Sequence, residues 1–353
     1  MKLTAAVIGC GGISRFHFAG LEKFGAKVKW VCDLSEAAAA PWVEKTGATF
    51  TADYKDIIAD GEVDVITICT LSASHKEICL AAIDAGKAII CEKTLSVNAA
   101  DALEIVRYAE QKQTIFYTSY MKRFIAAVQK AKEIMPSLGQ IVSTYIRSYQ
   151  NWGDLWTEMP ADGLAHTPVG GESAIRRNYG GAILPCGGSH ILDLVCFLLG
   201  RPHKLYATMH TPDRRDYDLQ ACALLHTSNG IVHYEALIHN LSHIGFQRDG
   251  WDERIEINGL NGRLEVYTAM WDQVDHKSSL LVHYDNSTGD TTEYHFDAVS
   301  PFDDAVAFFC ESIVAGEQGA QSRVTGYDVD ELIDHIKLSA AEGRAVDVEY
   351  RIG

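Results

Sequence analysis

The sequence LTAAVIGCGGIS, at residues 3–14, decides the class of fold. Its apolar part, residues 3–8, predicts a short buried strand that stops at a turn with three glycines: Gly9, Gly11 and Gly12. The residues that follow, 13–24, predict a helix, and Gly25 is placed to end it. A strand, a glycine turn and a helix in this order are typical of the first unit of a nucleotide-binding sheet.

The alternation of strands and helices continues outward from this stretch through the first third of the chain. Further strands are predicted at 27–32, 62–69, 87–93 and 114–120. The helices between them are predicted at 35–46, at 74–86 and from Asn98 onward. Strands separated by helices of this length run parallel with right-handed crossovers. We therefore predict an α/β domain with a doubly wound parallel sheet, a Rossmann domain, over residues 1–122.

The pattern changes after Pro136, where runs rich in Val, Ile, Tyr and Thr replace the alternation. These runs predict strands at 139–149, 203–210, 218–227, 231–239, 253–258, 262–267, 278–284 and 291–296. Helices are predicted at 189–199, 302–315 and 328–342. We therefore predict an α+β domain over residues 123–353, with a large, mostly antiparallel sheet. Its C-terminal helical region is a candidate to pack back on the Rossmann domain.

The length and charge of the chain limit its partners. A chain of 353 residues suggests two domains. With 31 Lys and Arg against 47 Asp and Glu, the formal net charge is −16, which repels nucleic acids and anionic membranes. No apolar run approaches the roughly 18 residues of a membrane span, and the apolar N-terminal stretch has no signal-peptide cleavage site. We expect a cytoplasmic protein with no nucleic-acid or membrane partner.

The nine cysteines give no sign of a disulfide framework or a metal site. Their number is odd, and no CxxC pair occurs. A metal site could be sought at His190 with Asp193, or at His239 with His243, but neither pair has a convincing third ligand. No metal is therefore expected.

The glycine turn has the features of a dinucleotide site. Its glycines let the backbone approach a pyrophosphate, and the start of the helix at Ile13 offers free N–H groups. Ser14 stands where a third glycine is usual. Asp33 lies 19 residues further on, at the end of the second predicted strand, where a carboxylate accepts hydrogen bonds from a ribose and repels a 2′-phosphate. Because no Lys or Arg follows Asp33 closely, we predict NAD as cofactor, with NADP less favoured.

Together with two later stretches, the glycine turn resembles one protein family. GCGGIS (9–14), ICTLSASHKEICLAAIDAGKAIICEKTLS (68–96) and GGAILPCGGSHILDL (180–194) are similar to the glucose-fructose oxidoreductase, inositol dehydrogenase and rhizopine-catabolism (Gfo/Idh/MocA) family. The similarity extends to VTGYDVDELIDHIKLSAAEGRAVDV at 324–348. It is dense in the first 125 residues and thinner through 200–300.

The resemblance implies roles for residues at the ends of the parallel strands. The Glu-Lys-Pro motif of the family matches Glu92-Lys93-Thr94, with Thr94 in place of Pro. The resemblance implies that Lys93 hydrogen-bonds a substrate hydroxyl near the nicotinamide. It also implies that Glu92, Lys93, Thr70 and His75 line the cofactor site. The carboxyl end of a parallel strand, where Lys93 is predicted to lie, is where ligands of such sheets bind.

The second motif of the family places a histidine in the substrate domain. His190 matches this histidine, whereas Cys186 stands where an Asp is usual, four residues earlier. Because His190 begins the helix predicted at 189–199, we expect the helix dipole to keep its imidazole neutral and able to accept a proton. Asp193, on the same face of this helix, is a candidate to orient His190 or to bind substrate. We expect Cys186 to shape the site and to form no covalent intermediate.

Other polar and aromatic residues are candidates to bind a polyhydroxylated substrate. Trp152 and Arg176 lie in the long irregular segment 151–181, and such side chains stack on sugar rings or hydrogen-bond to hydroxyls. Packing at a subunit interface is the alternative use of this segment. Tyr120 and Lys122 end the Rossmann part of the chain and are further substrate candidates; a charged surface is the alternative.

These observations favour an NAD-dependent oxidoreductase that transfers a hydride between the cofactor and a secondary hydroxyl of a sugar, polyol or sugar derivative. Lys93 and His190 are its predicted catalytic residues. Two alternatives remain open: a glycosidase or epimerase that recycles its NAD through transient oxidation of the sugar, and a non-catalytic NAD-binding regulator. The expected partners are a small carbohydrate-like substrate and further copies of the chain, in a homodimer or homotetramer.

Overall fold

The structure of the protein is a computed structural model that describes residues 3–157, 171–270, 272–273 and 277–353. The chain divides into two compact units. The first comprises Met1–Met121, Phe302–Tyr327 and Arg351–Gly353. The second comprises Lys122–Pro301 and Asp328–Tyr350. Each unit has its own sheet.

The first unit contains a six-stranded parallel sheet. Its strands are β1 (Thr4–Ile8), β2 (Lys27–Cys32), β3 (Thr49–Thr51), β4 (Val65–Ile68), β5 (Ala88–Cys91) and β6 (Phe116–Thr118). Their order in the sheet, β3-β2-β1-β4-β5-β6, reverses direction between β1 and β4. The helices are α1 (Ser14–Phe24), α2 (Glu36–Thr46), α3 (Tyr54–Ala59), α4 (Ser72–Asp84) and α5 (Ala99–Gln111). The prediction of a doubly wound parallel sheet is confirmed.

Local sequence explains where these helices begin and end. The side chain of Ser35 accepts a hydrogen bond at the start of α2, and that of Asn98 does so at the start of α5. Gly25 and Gly47 end α1 and α2 in the left-handed conformation. The short elements β3 and α3 were not predicted, since three and six residues are too few to show a period.

The second unit contains a nine-stranded sheet. Neighbouring strands are antiparallel, except that the strand Gly230–His239 pairs in parallel with the strand Ile141–Asn151. Its strands are β7 (Ile141–Asn151), β8 (Lys204–His210), β9 (Gln220–Thr227), β10 (Gly230–His239), β11 (Trp251–Gly259), β12 (Gly262–Thr268), β13 (Leu280–Asp285), β14 (Thr291–His295) and β15 (Val346–Asp347). The order is β14-β13-β12-β11-β7-β10-β9-β8-β15. The prediction of a large, mostly antiparallel sheet is confirmed.

The longer helices after residue 125 are α6 (Ala126–Ile134), α7 (Ala174–Tyr179), α8 (Ser189–Leu199), α9 (Pro301–Ala315) and α10 (Thr325–Glu342). A five-residue π-helix, Leu184–Gly188, leads directly into α8. Gly187 and Gly188 let it lie against the sheet, because a Cβ on either residue would overlap Gln150 of β7 or Tyr234 of β10. The π-helix, α6 and α7 were not predicted.

Side chains from the late part of the first unit cover the edge strand β6. The amide of Gln318 accepts from the Phe116 N–H at 3.0 Å and donates to the Phe116 carbonyl at 2.8 Å. Gln321 donates to the carbonyl of Thr118 at 2.8 Å, and Phe309 of α9 stacks on Tyr117 at 4.5 Å between ring centroids. The edge of the parallel sheet is therefore closed by side chains and not by another strand.

Among the described residues, one stretch is long and apolar enough to cross a membrane, Ala174–Leu199. Residues 180–183 interrupt its helical structure. Of the 18 most apolar consecutive residues in this stretch, 78% are buried inside the protein. The stretch is therefore explained as a core segment of the second unit.

Candidate active site

The glycine turn after β1 is shaped by a close approach of neighbouring backbone. Gly9 has φ +94°, and a Cβ there would lie 2.7 Å from the carbonyl group of Cys69, which follows β4. Gly11 and Gly12 have no atom within 4 Å of a Cβ position, so this side of the turn is open. The residue before α1, Ile13, offers no side-chain cap.

Ser14 explains how the turn forms without a third glycine. Its side chain is buried, and its hydroxyl donates to the carbonyl of Gly11 at 2.7 Å. The N–H of Ser14 donates to the same carbonyl at 3.0 Å. Both hydrogen bonds hold the turn against α1.

Asp33 lies beside this turn, at the end of β2. Its carboxylate accepts from the N–H of Cys10 at 2.7 Å and from that of Ser35 at 2.8 Å. Burial, and then the charge of Asp33, raises the pKa of the Cys10 thiol to about 12, so the thiol stays neutral. The carboxylate is partly exposed, and these two hydrogen bonds fix its orientation.

The surroundings of Asp33 are acidic. Burial raises the pKa of Cys32 to about 11, and the charges of Asp33, Asp53 and Asp56 add to this effect. The neighbouring side chain of Leu34 is 94% exposed. In the described part of the chain, no Lys or Arg forms an ion pair with Asp33. The charged groups that act on Cys32 here are thus all carboxylates.

Thr70 and His75 lie after β4, on the side of β5. The His75 ring is buried, with Nδ1 3.0 Å from the carbonyl oxygen of Thr94 and Nε2 3.1 Å from that of Thr70. Burial lowers the pKa of His75, although the carbonyl groups oppose this. The ring therefore braces the loops that follow β4 and β5, and Thr70, which is partly exposed, remains the predicted cofactor contact.

Lys93 follows β5 and is supported by a buried carboxylate. Glu92 is 4% exposed, and its Oε1 accepts from Nε2 of His17 at 2.6 Å. Its Oε2 accepts from the N–H of Lys93 at 3.2 Å. Burial alone would raise the pKa of Glu92, but the hydrogen bond and charge of His17, with the charge of Lys93, hold it below its usual value. The side chain of Lys93 is partly exposed, and its peptide bond to Thr94 is cis.

His17 was missed in the sequence. The signal that could have found it is its place on the apolar face of α1, with Ser14, Phe18 and Leu21. A histidine on a buried face needs a polar partner, and the partner is 75 residues away.

His190 lies in the second unit, in the first turn of α8 as predicted. However, the π-helix runs into α8 without a break, since Gly188 has helical φ and ψ. The helical segment starts earlier, where the N–H groups of Ala182 and Leu184 donate to the carboxylate of Asp218 at 2.8 and 2.6 Å. His190 therefore does not lie at the N-terminus of the helical segment. The expectation that a helix dipole there keeps its imidazole neutral is wrong.

Asp193 is fully buried and forms a two-pronged ion pair. Nε of Arg123 lies 2.8 Å from its Oδ2, and Nη2 lies 2.6 Å from its Oδ1. Burial raises the pKa of Asp193, and Arg123 opposes this. Its carboxylate is thus used in holding Arg123. Cys186, in the π-helix, is partly exposed.

Lys122 also lies in the interior of the second unit. It forms an ion pair with Glu253, and both side chains are 2% exposed. Ser148 donates to the same carboxylate at 2.6 Å and accepts from Gln150 at 2.9 Å. Trp152 donates to Gln150 at 3.1 Å. The structure thus connects two predicted substrate residues, Lys122 and Trp152, through one chain of hydrogen bonds along β7.

The remaining substrate candidates differ in exposure. Tyr120 is fully buried in the first unit. Arg176, on α7, is exposed and donates to the carbonyl of Asp216 at 2.7 Å. Residues 158–170 of the long segment lie outside the described residues. In the part of the chain that is described, no group of three or more His, Cys, Asp or Glu could hold a metal ion.

Comparison with known proteins decides the family. Residues 3–120 match the model described as an oxidoreductase family with an NAD-binding Rossmann fold. Residues 128–265 match the GFO/IDH/MocA C-terminal domain. The chain belongs to the Gfo/Idh/MocA oxidoreductase family. The resemblance seen in the sequence and the prediction of an oxidoreductase are therefore confirmed.

Individual members of the family show how far the similarity extends. Inositol 2-dehydrogenase 2 of Saccharopolyspora erythraea is 26% identical over 76% of this chain and 74% of its own length. D-xylose 1-dehydrogenase (NADP(+)) 2 of Haloferax volcanii is 25% identical over 90% of this chain and 91% of its own. A levoglucosan dehydrogenase, solved with NADH and levoglucosan, has the same fold at 20% identity, with a TM-score of 0.84 over 99% of this chain and 100% of that one.

Proposed function

We propose that this chain is an NAD-dependent dehydrogenase of a secondary hydroxyl on a sugar, polyol or sugar derivative. The observation that carries the proposal is the arrangement at the strand ends of the first unit. An open glycine turn lies beside the fixed carboxylate of Asp33, and the partly exposed Lys93 follows the buried Glu92. A purely structural sheet has no use for an exposed glycine turn and a supported lysine at its carboxyl edge. The named relatives act on inositol and xylose, which supports a polyhydroxylated substrate.

The residues present fit a dinucleotide. Gly9, Gly11 and Gly12 with the start of α1 would hold the pyrophosphate, because no side chain occupies the open side of the turn. Asp33 would accept hydrogen bonds from the adenosine ribose. The acidic surroundings favour NAD over NADP in this proposal, although one relative is named for NADP.

The chain's own residues have distinct proposed roles. The Lys93 ammonium donates a hydrogen bond to the reacting hydroxyl and favours the alkoxide that forms as its proton leaves. His190 accepts that proton. When bound, the nicotinamide supplies the hydride acceptor. Cys186, at the place of the usual Asp, shapes the site without taking the proton, since a neutral thiol is a poor acceptor.

The test is a panel of inositols, aldoses, sugar acids and glycosides, assayed for NADH formation with NAD and separately with NADP. We expect steady turnover with NAD for at least one polyhydroxylated compound and weaker turnover with NADP. No NADH formation across the panel, with NAD bound, would contradict a net dehydrogenase. Product formed without added NAD would instead identify the recycling glycosidase or epimerase.

We also propose that the chain forms a homodimer or homotetramer in the cytoplasm through the outer face of the second sheet. Cross-strand register places one row of exposed or half-exposed side chains on this face: Tyr145, Tyr206, Leu224 and His233. They line a cavity of about 580 Å³. Arg147 and Arg254 line the same cavity, and a surface that combines aromatic side chains with arginine is typical of a subunit contact. Light scattering after size exclusion should give a multiple of 38.8 kDa; a monomer would contradict this proposal.

A further inference from the structure

His17 joins two segments that the proposed function places at the cofactor. It lies on α1, directly after the glycine turn, and its ring is fully buried. Its Nε2 donates to Oε1 of Glu92 at 2.6 Å. Glu92 immediately precedes Lys93. One hydrogen bond therefore connects the helix of the glycine turn to the strand end that carries the lysine.

The carboxylate of Glu92 divides its two oxygens between two partners. Oε1 faces His17, and Oε2 accepts from the main-chain N–H of Lys93 at 3.2 Å. The main-chain N–H of Glu92 donates to the carbonyl of Ile68 on β4 at 2.9 Å. Through these contacts, the position of the Lys93 backbone depends on where the Glu92 carboxylate is held.

The ring of His17 makes its hydrogen bond through one of its two nitrogens, Nε2. Its Nδ1 is buried and has no hydrogen-bond partner in the described part of the chain. The ring also makes an edge contact with Phe302, at 6.2 Å between centroids. Because Glu92 is an acceptor, the proton must lie on Nε2. A single hydrogen bond in such an apolar setting is strong and costly to lose.

We propose that His17 is a positioning residue for Lys93, acting through Glu92. It keeps the carboxylate ionised and in place, and the carboxylate in turn fixes the main chain from which the Lys93 ammonium extends. This inference rests on the proposed function of Lys93. It differs from a purely structural role, because it predicts that the donor at Nε2 matters and not the volume of the ring.

The charged groups around Glu92 determine in which direction its pKa should change when His17 is removed. Five titratable groups interact electrostatically with its carboxylate. They lie on α1, after β4, on α4, at the end of β5 and after β5: His17, Cys69, His75, Cys91 and Lys93. Burial holds the two thiols neutral and lowers the pKa of His75. Burial also favours the protonated form of Glu92, and His17 is the first group that opposes it. Without His17, the pKa of Glu92 should rise.

The first experiment needs neither cofactor nor substrate. Melting temperatures of the wild type, His17→Leu and His17→Gln are measured from about pH 5 to pH 8. In the wild type, the lowered pKa of Glu92 gives stability that is fully present above its unfolded pKa and is lost only as pH falls through the folded pKa, below the measured range, so its contribution should be constant from about pH 5 to pH 8. In His17→Leu, the raised pKa should reverse the effect, so that stability falls as pH rises. The gap between the two proteins should therefore widen with pH.

Two comparisons separate the donor from the packing. His17→Gln keeps an N–H donor and removes the charge of the imidazole, so its pH profile should lie between those of the wild type and His17→Leu, nearer to the wild type. Phe18→Leu removes buried ring volume from the same helix without touching an ionisable group, and its loss of melting temperature should not depend on pH. A pH-independent loss in His17→Leu, like that of Phe18→Leu, would overturn the proposal.

The second experiment measures turnover. His17→Leu should lower kcat by about tenfold or more, with little change in the KM for NAD, because Lys93 is displaced while the glycine turn is kept. His17→Gln should recover most of the loss. Equal losses in both variants, or none in His17→Leu, would overturn the proposal. If His17→Leu does not fold, Glu92→Gln, which keeps an acceptor but no charge, should show the same fall in kcat; wild-type kcat in that variant would overturn it.

Failure of the two proposals can be told apart. If the wild type shows no NAD-dependent turnover on the panel, the proposed function fails, and the melting profiles still decide whether His17 holds Glu92 ionised. If the wild type turns over and His17→Leu equals it, only the role of His17 fails.

Discussion

The glycine turn of the first unit and the π-helix of the second differ in how far along the sequence their hydrogen-bond partners lie and in how deeply those partners are buried. The turn is held by partners that lie nearer in the sequence: the Ser14 hydroxyl donates to the carbonyl of Gly11, three residues away, and the Asp33 carboxylate accepts from the N–H of Cys10, 23 away. The π-helix is held by the buried carboxylate of Asp218, 34 and 36 residues from the N–H groups it accepts. A contact over three residues leaves a local mark in the sequence, whereas a buried carboxylate that accepts from main chain 34 and 36 residues away does not.

The two regions also differ in the free energy that is needed to bury their ionisable groups. The carboxylate that holds the glycine turn, that of Asp33, is partly exposed and so loses little of its hydration. Asp193, Asp218 and Glu253 of the second unit are ionisable groups removed from water, and each must be matched by donors or a cation. We therefore expect function to be most sensitive at the strand ends of the first unit, and stability to be most sensitive around the π-helix.

The sharpest test of this division is Lys93→Met. If Lys93 only positions the reacting hydroxyl, its loss should lower kcat/KM by about a thousandfold or more, while NAD affinity and melting temperature stay unchanged. Steady-state kinetics, NAD titration and thermal melting measure the three effects. Lys45→Met, at an exposed site in the same unit, is the control and should behave as the wild type. A near-normal rate in Lys93→Met would leave the first unit without its proposed catalytic group.

The next test compares two residues of the second unit that are four positions apart. His190→Ala should lower kcat by roughly a hundredfold or more, as expected for the loss of a general base. The kcat of Cys186→Ser and that of Cys186→Ala should each stay within about tenfold of the wild-type value, because Cys186 neither gives nor takes a proton in the proposed reaction. Initial rates with NAD binding as a check on folding decide this. If Cys186→Ser stopped turnover in a folded protein that binds NAD, the thiol would have a chemical role.

Stability around the π-helix can be measured at Asp218. Asp218→Ala leaves two buried N–H groups without an acceptor and should lower the free energy of unfolding by about 3 kcal/mol. Asp218→Asn keeps one acceptor oxygen and should cost about half as much. Chemical denaturation gives both values. Asp213→Ala, at a nearby exposed position, should change stability by less than about 0.5 kcal/mol. A loss no larger than this control at Asp218 would show that the carboxylate does not hold the π-helix.

The smallest expected effect concerns the choice of cofactor. The wild type should prefer NAD by about tenfold or more, because Asp33 repels a 2′-phosphate. The double variant Asp33→Ser/Leu34→Arg should move the preference toward NADP by about 10- to 100-fold, since the exposed position 34 can present a guanidinium group to the phosphate. The ratio of kcat/KM for the two cofactors measures it, with Leu34→Ala as control. Equal or better use of NADP by the wild type would contradict the proposed role of Asp33.

The sequence predicted the fold closely wherever a period or a cap was present. The bounds predicted for β2 and α8 are those observed, and Asn98 and Gly25 mark helix ends as expected. The π-helix has no sequence period of its own, and it follows the short α7, which is too brief to show one. Both elements were therefore missed.

The candidate site was predicted in part. The glycine turn, Asp33 and Lys93 are local features at strand ends, so they could be placed from the sequence. The partner of a buried charge could not be foreseen, because Lys122 and Glu253 are 131 positions apart and His17 and Glu92 are 75 apart. The same reason explains why the sequence offered Asp193 as a residue to orient His190 or to bind substrate, and did not indicate its ion pair with Arg123.

The side chains that close the edge of β6 have a consequence for how the chain is made on the ribosome. Gln318 and Gln321 are synthesised about 200 residues after Phe116, whose main-chain groups Gln318 satisfies. At roughly 5–20 residues per second, the edge waits on the order of 10–40 s for its cover. During that time the nascent first unit presents an unpaired strand. A fragment that stops at residue 121 should keep this exposed edge and aggregate, whereas adding residues 302–327 in trans should protect it.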